Sequence, residues 1–538
     1  MSEWWRGAVI YQIYPRSFRD TNGNGIGDLP GIASRLDYVA SLGVDGIWLS
    51  PFFTSPMKDF GYDIADYRDV DPRFGTLADF DALLAKAHRL GLKVIIDQVY
   101  SHSSNRHPWF EESRQDRTNP KADWYVWVDP KPDGGPPNNW LAVFGGPAWD
   151  WEPRRHQYYL HNFLKEQPDL NLHNPQVQQA VLDVAAFWLD RGVDGFRLDV
   201  ANFFMHDPQL RDNPPRPHPA PDKPSYLQRQ IYNRTRPETL AFVPKLRALL
   251  DRYGECMAVA EIAAEDQLAT MVAYTDGPER YHTAYSFVFL GNEFGARFIR
   301  DSVERMRAMS DSAWPSWAFS NHDVVRVATR WGRSAADPGA FAKLMLALLT
   351  SLRGTVFLYQ GEELGLPHAE VPFDRLQDPE GKTFWPRHKG RDGARTPMPW
   401  LADAPHAGFS SSEPWLPIDP RHPPLAVDAQ EADPDSVLAF ARHFLAWRNR
   451  QAALIGGDIR FLDTAEPVLA FVRGEAEAAT LCVFNLGDAD VRAELPAADS
   501  ATPLAGHGLP GAFEGRVARL PAYGAAFARL VGGGDGAS

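Results

Sequence analysis

Four carboxylates, an arginine and two histidines stand at points where short apolar runs stop. Asp97 closes the run beginning at Lys93 and is followed by His102. Arg197 and Asp199 close a second run, Glu261 a third, and His322-Asp323 follow a fourth. Buried charges must be paired or put to use, so side chains of this kind, if brought to one place, imply a reaction centre. Each taken alone reads equally as a helix cap or a surface ion pair. Three carboxylates with an arginine suit acid–base work on a neutral polyol. Glycoside cleavage needs one carboxylate as nucleophile and a second as proton donor, and a third can hold the distorted ring. No Gly-rich phosphate loop, nucleophile elbow or His/Glu set of zinc spacing competes with this chemistry.

The elements that must position these groups alternate in type. Strands are expected at Val9–Tyr14, Gly46–Ser50, Lys93–Val99, Gly195–Val200, Met257–Ile262, Tyr285–Phe289, Trp317–Ser320 and Thr355–Gln360. Helical periods fall between them, at Leu77–Leu90, Pro175–Arg191, Pro237–Tyr253, Ala296–Met306 and Ala340–Leu352. Thr76 with Asp79 has capping-box spacing, Asn174-Pro175 reads as an N-cap and first helical residue, and glycines follow several helix ends. Eight strands alternating with helices fit a (β/α)8 TIM barrel or a doubly wound sheet. The count of eight, and polar residues at the ends of several different strands, favour the α/β barrel, whose active sites lie at that face.

The alternation breaks twice. Residues 101–172 are rich in Pro, Trp, Asn and Asp and too long for a plain loop, so they read as a small inserted domain. The stretch 202–236, with NPPRPHPAPDKP at its centre, reads as a long loop able to cover a pocket. After a last helix near Asp435–Arg450, short β runs at Ile459–Leu462, Val468–Val472, Thr480–Phe484 and Ala525–Leu530 predict a C-terminal antiparallel β-sandwich, with Gly532–Ser538 fraying. The expected division is therefore 1–100 with 173–457 as barrel, 101–172 as insertion and 458–538 as β domain.

Composition narrows the partners. The 538 residues carry a net charge of −14, which argues against nucleic acid, because phosphate-backbone binders need basic patches. No apolar run approaches the ~20 residues of a membrane span, and no signal peptide is visible at the start. Cys256 and Cys482 are too few for a disulfide framework and sit in apolar runs, which fits buried thiols in a reducing cytoplasm.

DQVYSH (97–102), GFRLDVANF (195–203), VAEI (259–262) and FSNHD (319–323) resemble the four characteristic regions of the α-amylase superfamily, glycoside hydrolase family 13. QPDLN (167–171), VIYQIYPRSFRDTNGNGIGDLPGI, GYDIADYRDVDPRFG and GRDGARTPMPW are similar to its oligo-1,6-glucosidase and α-glucosidase branch, and the resemblance covers nearly the whole chain. It implies Asp199 as nucleophile, Glu261 as general acid/base and Asp323 as the carboxylate that binds the 2- and 3-hydroxyls. Arg197 would hold Asp199. His102 and His322 would donate hydrogen bonds to the sugar, Tyr62 would stack on it, and Asp63 would accept from its 4- and 6-hydroxyls. Arg391, or Arg395 from the same motif, would be a further partner. Phe144 and Phe163 match aromatic pocket walls, although either ring suits the core of the insertion as well. Ser101 departs from the usual Asn, with an expected effect on a loop.

The loop Asp20-x-Asn22-x-Asn24-x-Ile26-x-Asp28 alternates oxygen donors as EF-hand-like calcium loops do, without a following Glu. Its match to the family's metal loop implies structural Ca²⁺, with Mg²⁺ as alternative. The expected activity is that of a retaining exo-α-glucosidase on short α-glucosides, with transglucosylation. Val200 leans toward α-1,6 linkages, whereas the proline-rich loop with RQIYNRTRPE (229–238) leans toward small α-1,4 substrates such as maltose, and the loop weighs more. Oligo-1,6-glucosidase, sucrose hydrolase or isomerase, trehalose-6-phosphate hydrolase and a non-catalytic binding subunit stand as alternatives. A phosphorylated substrate would want a basic pocket, and no Lys/Arg cluster is apparent near the expected mouth.

Overall fold

A computed structural model describes residues 3–218, 223–475, 479–496 and 501–530. The expected fraying tail, Gly532–Ser538, lies outside them, as do residues 219–222 of the proline-rich loop.

Eight parallel strands form the centre: β1 (Val9–Ile13), β2 (Gly46–Leu49), β3 (Lys93–Gln98), β4 (Gly195–Leu198), β5 (Met257–Ile262), β6 (Thr283–Ser286), β7 (Ser316–Ala318) and β8 (Thr355–Tyr359). They pair in the order β6-β5-β4-β3-β2-β1-β8-β7. The two ends meet through a parallel bridge between Ala284 and Pro315 and a 2.9 Å hydrogen bond from Thr283 Oγ1 to the Trp314 carbonyl, which closes the barrel. Almost every strand residue is buried, as strands covered by helices outside and side chains inside must be.

All eight expected strands exist, with two shifted. The sixth starts two residues earlier than Tyr285 and ends at Ser286, because the chain turns at once, with Leu290 N donating to the Phe287 carbonyl. The seventh is Ser316–Ala318. The helix expected over Pro237–Tyr253 is split into a 3₁₀ turn, Pro237–Ala241, and a helix, Val243–Arg252. Pro244 lacks an amide proton, so it sits in a fresh first turn where none is needed. Thr76 and Asp79 form the full capping box, and the Asn174 side chain caps its helix.

Between β3 and β4 the inserted segment builds a three-stranded antiparallel sheet with Gln157–Leu160 in the middle, flanked by Trp127–Val128 and Trp149–Glu152. Its core is Val126, Trp140, Ala142, Ala148, Trp149 and Leu160. A short helix, Pro108–Ser113, was not apparent in the sequence; His107 caps it by accepting from Trp109 N.

The C-terminal part is a sandwich of a five-stranded and a three-stranded antiparallel sheet. The four expected strands belong to the larger sheet. The smaller one comprises Val491–Glu494, Ala512–Glu514 and Val517–Leu520, and Ala518 and Leu520 bury against Val468, Leu481 and Val483. Arg473 of this sandwich is fully buried and donates to the carbonyls of Gly457 and of Ser351 on the barrel side. Cys482 is buried as expected, whereas Cys256 is only partly covered, in the turn before β5 rather than in a strand.

Candidate active site

The C-terminal ends of β3, β4 and β5 converge on Arg197, whose side chain is wholly buried. Its Nη1 donates to Asp97 Oδ1 at 2.8 Å and to Asp199 Oδ1 at 2.6 Å, and Nη2 lies 2.6 Å from Glu261 Oε1. Tyr285, on β6, accepts from Arg197 Nε and Nη2 and donates to Glu261 Oε1 at 2.9 Å. Sequence reasoning missed Tyr285. Its strand, Thr-Ala-Tyr-Ser, carries hydroxyls at three of four positions, so nothing in the sequence singled out this one.

Val200, directly after Asp199, has φ 36° and ψ 51°, a left-handed conformation costly for a β-branched residue. The twist aims its amide proton at Glu261 Oε2, 3.0 Å away. One local strain thus fixes Asp199 and Glu261 relative to each other.

Burial shifts two of the three carboxylates around this guanidinium. Burial pushes Asp97 up to about 6, with Arg197 pulling back. Burial likewise raises Asp199 well above the usual carboxylate range, with Arg197 again opposing and the Glu261 and Asp97 charges adding to the rise. Asp323 differs. Burial would raise it, but His322, Arg395 and Arg391 outweigh that and hold it well below the ordinary range. Arg395 Nη2 lies 2.7 Å and Arg391 Nη1 3.4 Å from Asp323 Oδ1, so both arginines of the GRDGAR motif reach it.

Asp59, Tyr62, His102, Phe144, Phe163, Asp199, Glu261, Asp323 and Arg391 line one cavity of about 530 Å³. Phe144 and Phe163 are pocket walls with ring centres 5.8 Å apart, and Arg391 stacks over Phe144. Tyr62 presents its ring while its hydroxyl donates to Asp97 Oδ2. His102 is fixed by Ser101 Oγ, 2.9 Å from Nδ1, and by Gln167, 3.1 Å from Nε2. Ser101 therefore acts on the imidazole itself and not merely on the loop. His322 stands behind the wall instead of on it: Nδ1 is 2.8 Å from Gln12 Nε2 and Nε2 is 2.6 Å from the Tyr62 hydroxyl. It braces Tyr62 and Asp323. Burial pulls both imidazoles down to about 3, so they are neutral.

Asp63 is a correction. Its carboxylate is fully buried, and both oxygens are occupied by Ser55 Oγ, Lys58 N and Asp59 N at 2.8–3.0 Å. It shapes the loop and is not among the residues that line the cavity. Asp59, four residues earlier, lines the cavity and accepts from Arg391 Nη2 at 2.7 Å and from Gln167 Nε2 at 3.1 Å. Asp378, also missed, grips Arg391 from behind through Nε, Nη2 and the backbone amide.

The proline-rich loop forms the far wall with Arg216, Lys223, Tyr226, Gln230 and Arg234. This corrects the expectation that no Lys/Arg cluster lies near the mouth. Cations scattered over nineteen positions of a loop form no run in the sequence, and only the fold gathers them.

In the Asp20–Asp28 loop, Asp20 accepts from the amides of Asn22, Gly23 and Gly25 and from Ser410 Oγ. Asp28 accepts from Thr21 and caps the helix Leu29–Ser34. Gly25 has φ +81°, and a Cβ there would collide with the Glu413 carbonyl. Among the described residues no group of three or more His, Cys, Asp or Glu could hold a metal. Any ion here would need the Asn amides and the Ile26 carbonyl as well.

This geometry has close counterparts. The family model "Alpha amylase, catalytic domain" matches residues 12–457. The chain therefore belongs to the alpha-amylase family and is a glycoside hydrolase with the retaining mechanism general to that family. It is 54% identical over 539 residues to the probable alpha-glucosidase of Rhizobium meliloti (strain 1021), covering 98% of this chain and 97% of that one. It is 38% identical over 533 residues to the oligo-1,6-glucosidase of Heyndrickxia coagulans, covering 92% and 94%. The solved structure of the alpha-glucosyl transfer enzyme XgtA superposes with a TM-score of 0.96 at 57% identity, covering 98% of this chain and 99% of that one.

Proposed function

We propose that the protein is an exo-acting α-glucosidase for short α-glucosides, with maltose-like α-1,4 linkages favoured. The observation that carries this is the placement of Asp199 and Glu261 on one guanidinium, in a cavity that Asp59, Arg391 and Asp323 also line. On this reading one glucose sits against Asp59, Arg391 and Asp323 with its anomeric carbon toward Asp199.

Asp199 attacks that carbon as Glu261 gives its proton to the departing glycosidic oxygen, leaving a β-linked glucosyl ester on Asp199. Glu261, now the base, takes a proton from water, whose oxygen displaces Asp199 and restores the α configuration. Arg197 and Tyr285 keep both carboxylates in place throughout. The first step requires the protonated form of Glu261, and that proton moves to the leaving alcohol. An acceptor hydroxyl in place of water gives transglucosylation, a reading supported by the name of the 57% identical transfer enzyme.

Two observations bear on linkage. Arg216, Lys223, Tyr226, Gln230 and Arg234 of the proline-rich loop line the same cavity as Glu261, which on this reading limits the leaving group to a short one and favours maltose. Val200 in the same cavity, and the 38% identical oligo-1,6-glucosidase, favour isomaltose as the second reading. Asp199→Asn loses roughly 10⁴-fold or more in turnover while maltose still binds; undiminished turnover contradicts the assignment. Initial rates on maltose, isomaltose, sucrose and trehalose side by side decide the linkage, with maltose fastest on this reading.

The Asp20–Asp28 loop is a structural Ca²⁺ site on the same reading, with Mg²⁺ as the alternative. Asp20 and Asp28 are buried and accept their hydrogen bonds only from uncharged backbone amides and hydroxyls among the described residues. Two buried anions with amide and carbonyl oxygens beside them suit a hard divalent cation. The two thiols without a disulfide fit a cytoplasmic enzyme.

A further inference from the structure

The leaving-group side of the cavity carries a charge that glucose chemistry does not use. Arg234 lies on the wall there, supplied by the loop after β4. Its guanidinium carbon stands 5.0 Å from the centre of the Phe203 ring, and Phe203 lies 5.4 Å from Phe163. The cation is thus one aromatic ring removed from the glucose pocket.

Its neighbours are spoken for. Arg216 pairs with Glu265, and Lys223 pairs with Glu380 across the mouth. Arg234 makes no ion pair among the described residues, and its Nε is buried without a hydrogen-bond partner. The charged and titratable groups facing it are Glu265, Tyr226 and Arg216. Since Glu265 is engaged by Arg216, this side of the cavity keeps one uncompensated positive charge. A desolvated guanidinium with a free N–H costs stability unless something binds it. Its planar fork matches a carboxylate or phosphate. The Phe203 face beside it offers a flat apolar surface.

We propose that Arg234 is a recognition site for an anionic group on the leaving group or acceptor, so that the enzyme prefers α-glucosides whose aglycone bears a carboxylate or phosphate, above all a planar aryl acid. This rests on the glucosidase reading. The bonds made and broken are unchanged: Glu261 still protonates the glycosidic oxygen, and Arg234 holds the anion while the alcohol departs.

The test compares kcat/KM for para-carboxyphenyl and para-nitrophenyl α-glucoside, and for trehalose 6-phosphate and trehalose, in the wild type, Arg234→Gln and Arg234→Lys. The ratio of charged to neutral substrate is the readout, so a general loss of activity cancels. The carboxyphenyl ratio falls about 10- to 100-fold in Arg234→Gln, chiefly through KM, and is partly restored in Arg234→Lys. A fall confined to the trehalose 6-phosphate ratio also supports the site and identifies its anion as a sugar phosphate. Ratios that stay the same in all three proteins overturn the proposal. If the wild type fails to cleave even the neutral aryl glucoside, it is the glucosidase reading that falls.

Discussion

Asp59 and Asp63 stand on one loop with opposite surroundings. Asp59 faces the cavity and pairs with Arg391, whereas Asp63 spends both oxygens on Ser55 and two amides. Asp59→Asn should lower kcat/KM on maltose about 10- to 100-fold with little change in thermal stability. Asp63→Asn should cost about 2 kcal/mol of stability and change activity less. Steady-state kinetics with thermal melts separates them, and the opposite pattern would return the sugar contact to Asp63. The site's pH response follows from the same surroundings. Asp97, raised to about 6 by burial, takes up a proton as pH falls through that value, which deprives Arg197 of one of the anions that anchor it and loosens the group that positions Asp199 and Glu261. kcat/KM should therefore fall below about pH 6. His102, lowered to about 3 by burial, is neutral across this range, so His102→Asn should keep the same acid midpoint at a lower plateau; a midpoint that moves contradicts this. Asp199, Glu261 and Asp323 were legible because each ends or follows a strand within a recognisable motif. Tyr285, Gln167 and Asp378 were not, because they act by touching Glu261, His102 and Arg391 respectively from distant segments, and spacing along the chain does not report contact.

The proline-rich loop is held by side chains from the inserted segment. Asn213 Nδ2 donates to Asn233 Oδ1 at 2.9 Å, and Asn233 Nδ2 donates to Asn162 Oδ1 at 2.8 Å. Asn162 in turn donates to Asp169, in the strip that runs beside His102. The chain of amides is buried and links the loop to the wall that holds Phe163. Removing its middle should let the loop open and admit a third glucose. Asn233→Ala is expected to raise the maltotriose-to-maltose rate ratio by about tenfold while melting within a few degrees of wild type. An unchanged ratio with a normal fold would show that the loop is held elsewhere. Elements with strong signals were read correctly: buried strands of Val, Ile and Leu, capped helices, and glycine stops. The smaller sheet of the sandwich escaped notice because Val491–Glu494 and Ala512–Glu514 are short and mostly exposed, with few apolar residues to betray them. The split at Phe242–Val243 was foreshadowed by Pro244, which the helical period concealed.

At the scale of the whole molecule, one barrel gathers residues from positions 59 to 391 into a cavity of about 530 Å³. The inserted segment and the proline-rich loop roof it. The Asp20–Asp28 loop packs against the stretch 409–414 through Asp20 N to the Phe409 carbonyl and Ser410 Oγ to Asp20. A cation there would tie the start of the barrel to the segment after its eighth strand. EDTA should then lower the melting temperature by several degrees and leave activity at low temperature intact, with Ca²⁺ restoring the loss. No change in either quantity would refute the metal reading. The central claim, that this molecule transfers a glucosyl group through Asp199, is tested most directly by trapping the intermediate. Incubation with a fluorinated α-glucosyl fluoride that forms the ester quickly and releases it slowly, followed by peptide mass spectrometry, should find one fluoroglucosyl unit on Asp199. Absence of any adduct, or a label on another carboxylate such as Asp323, would contradict the account.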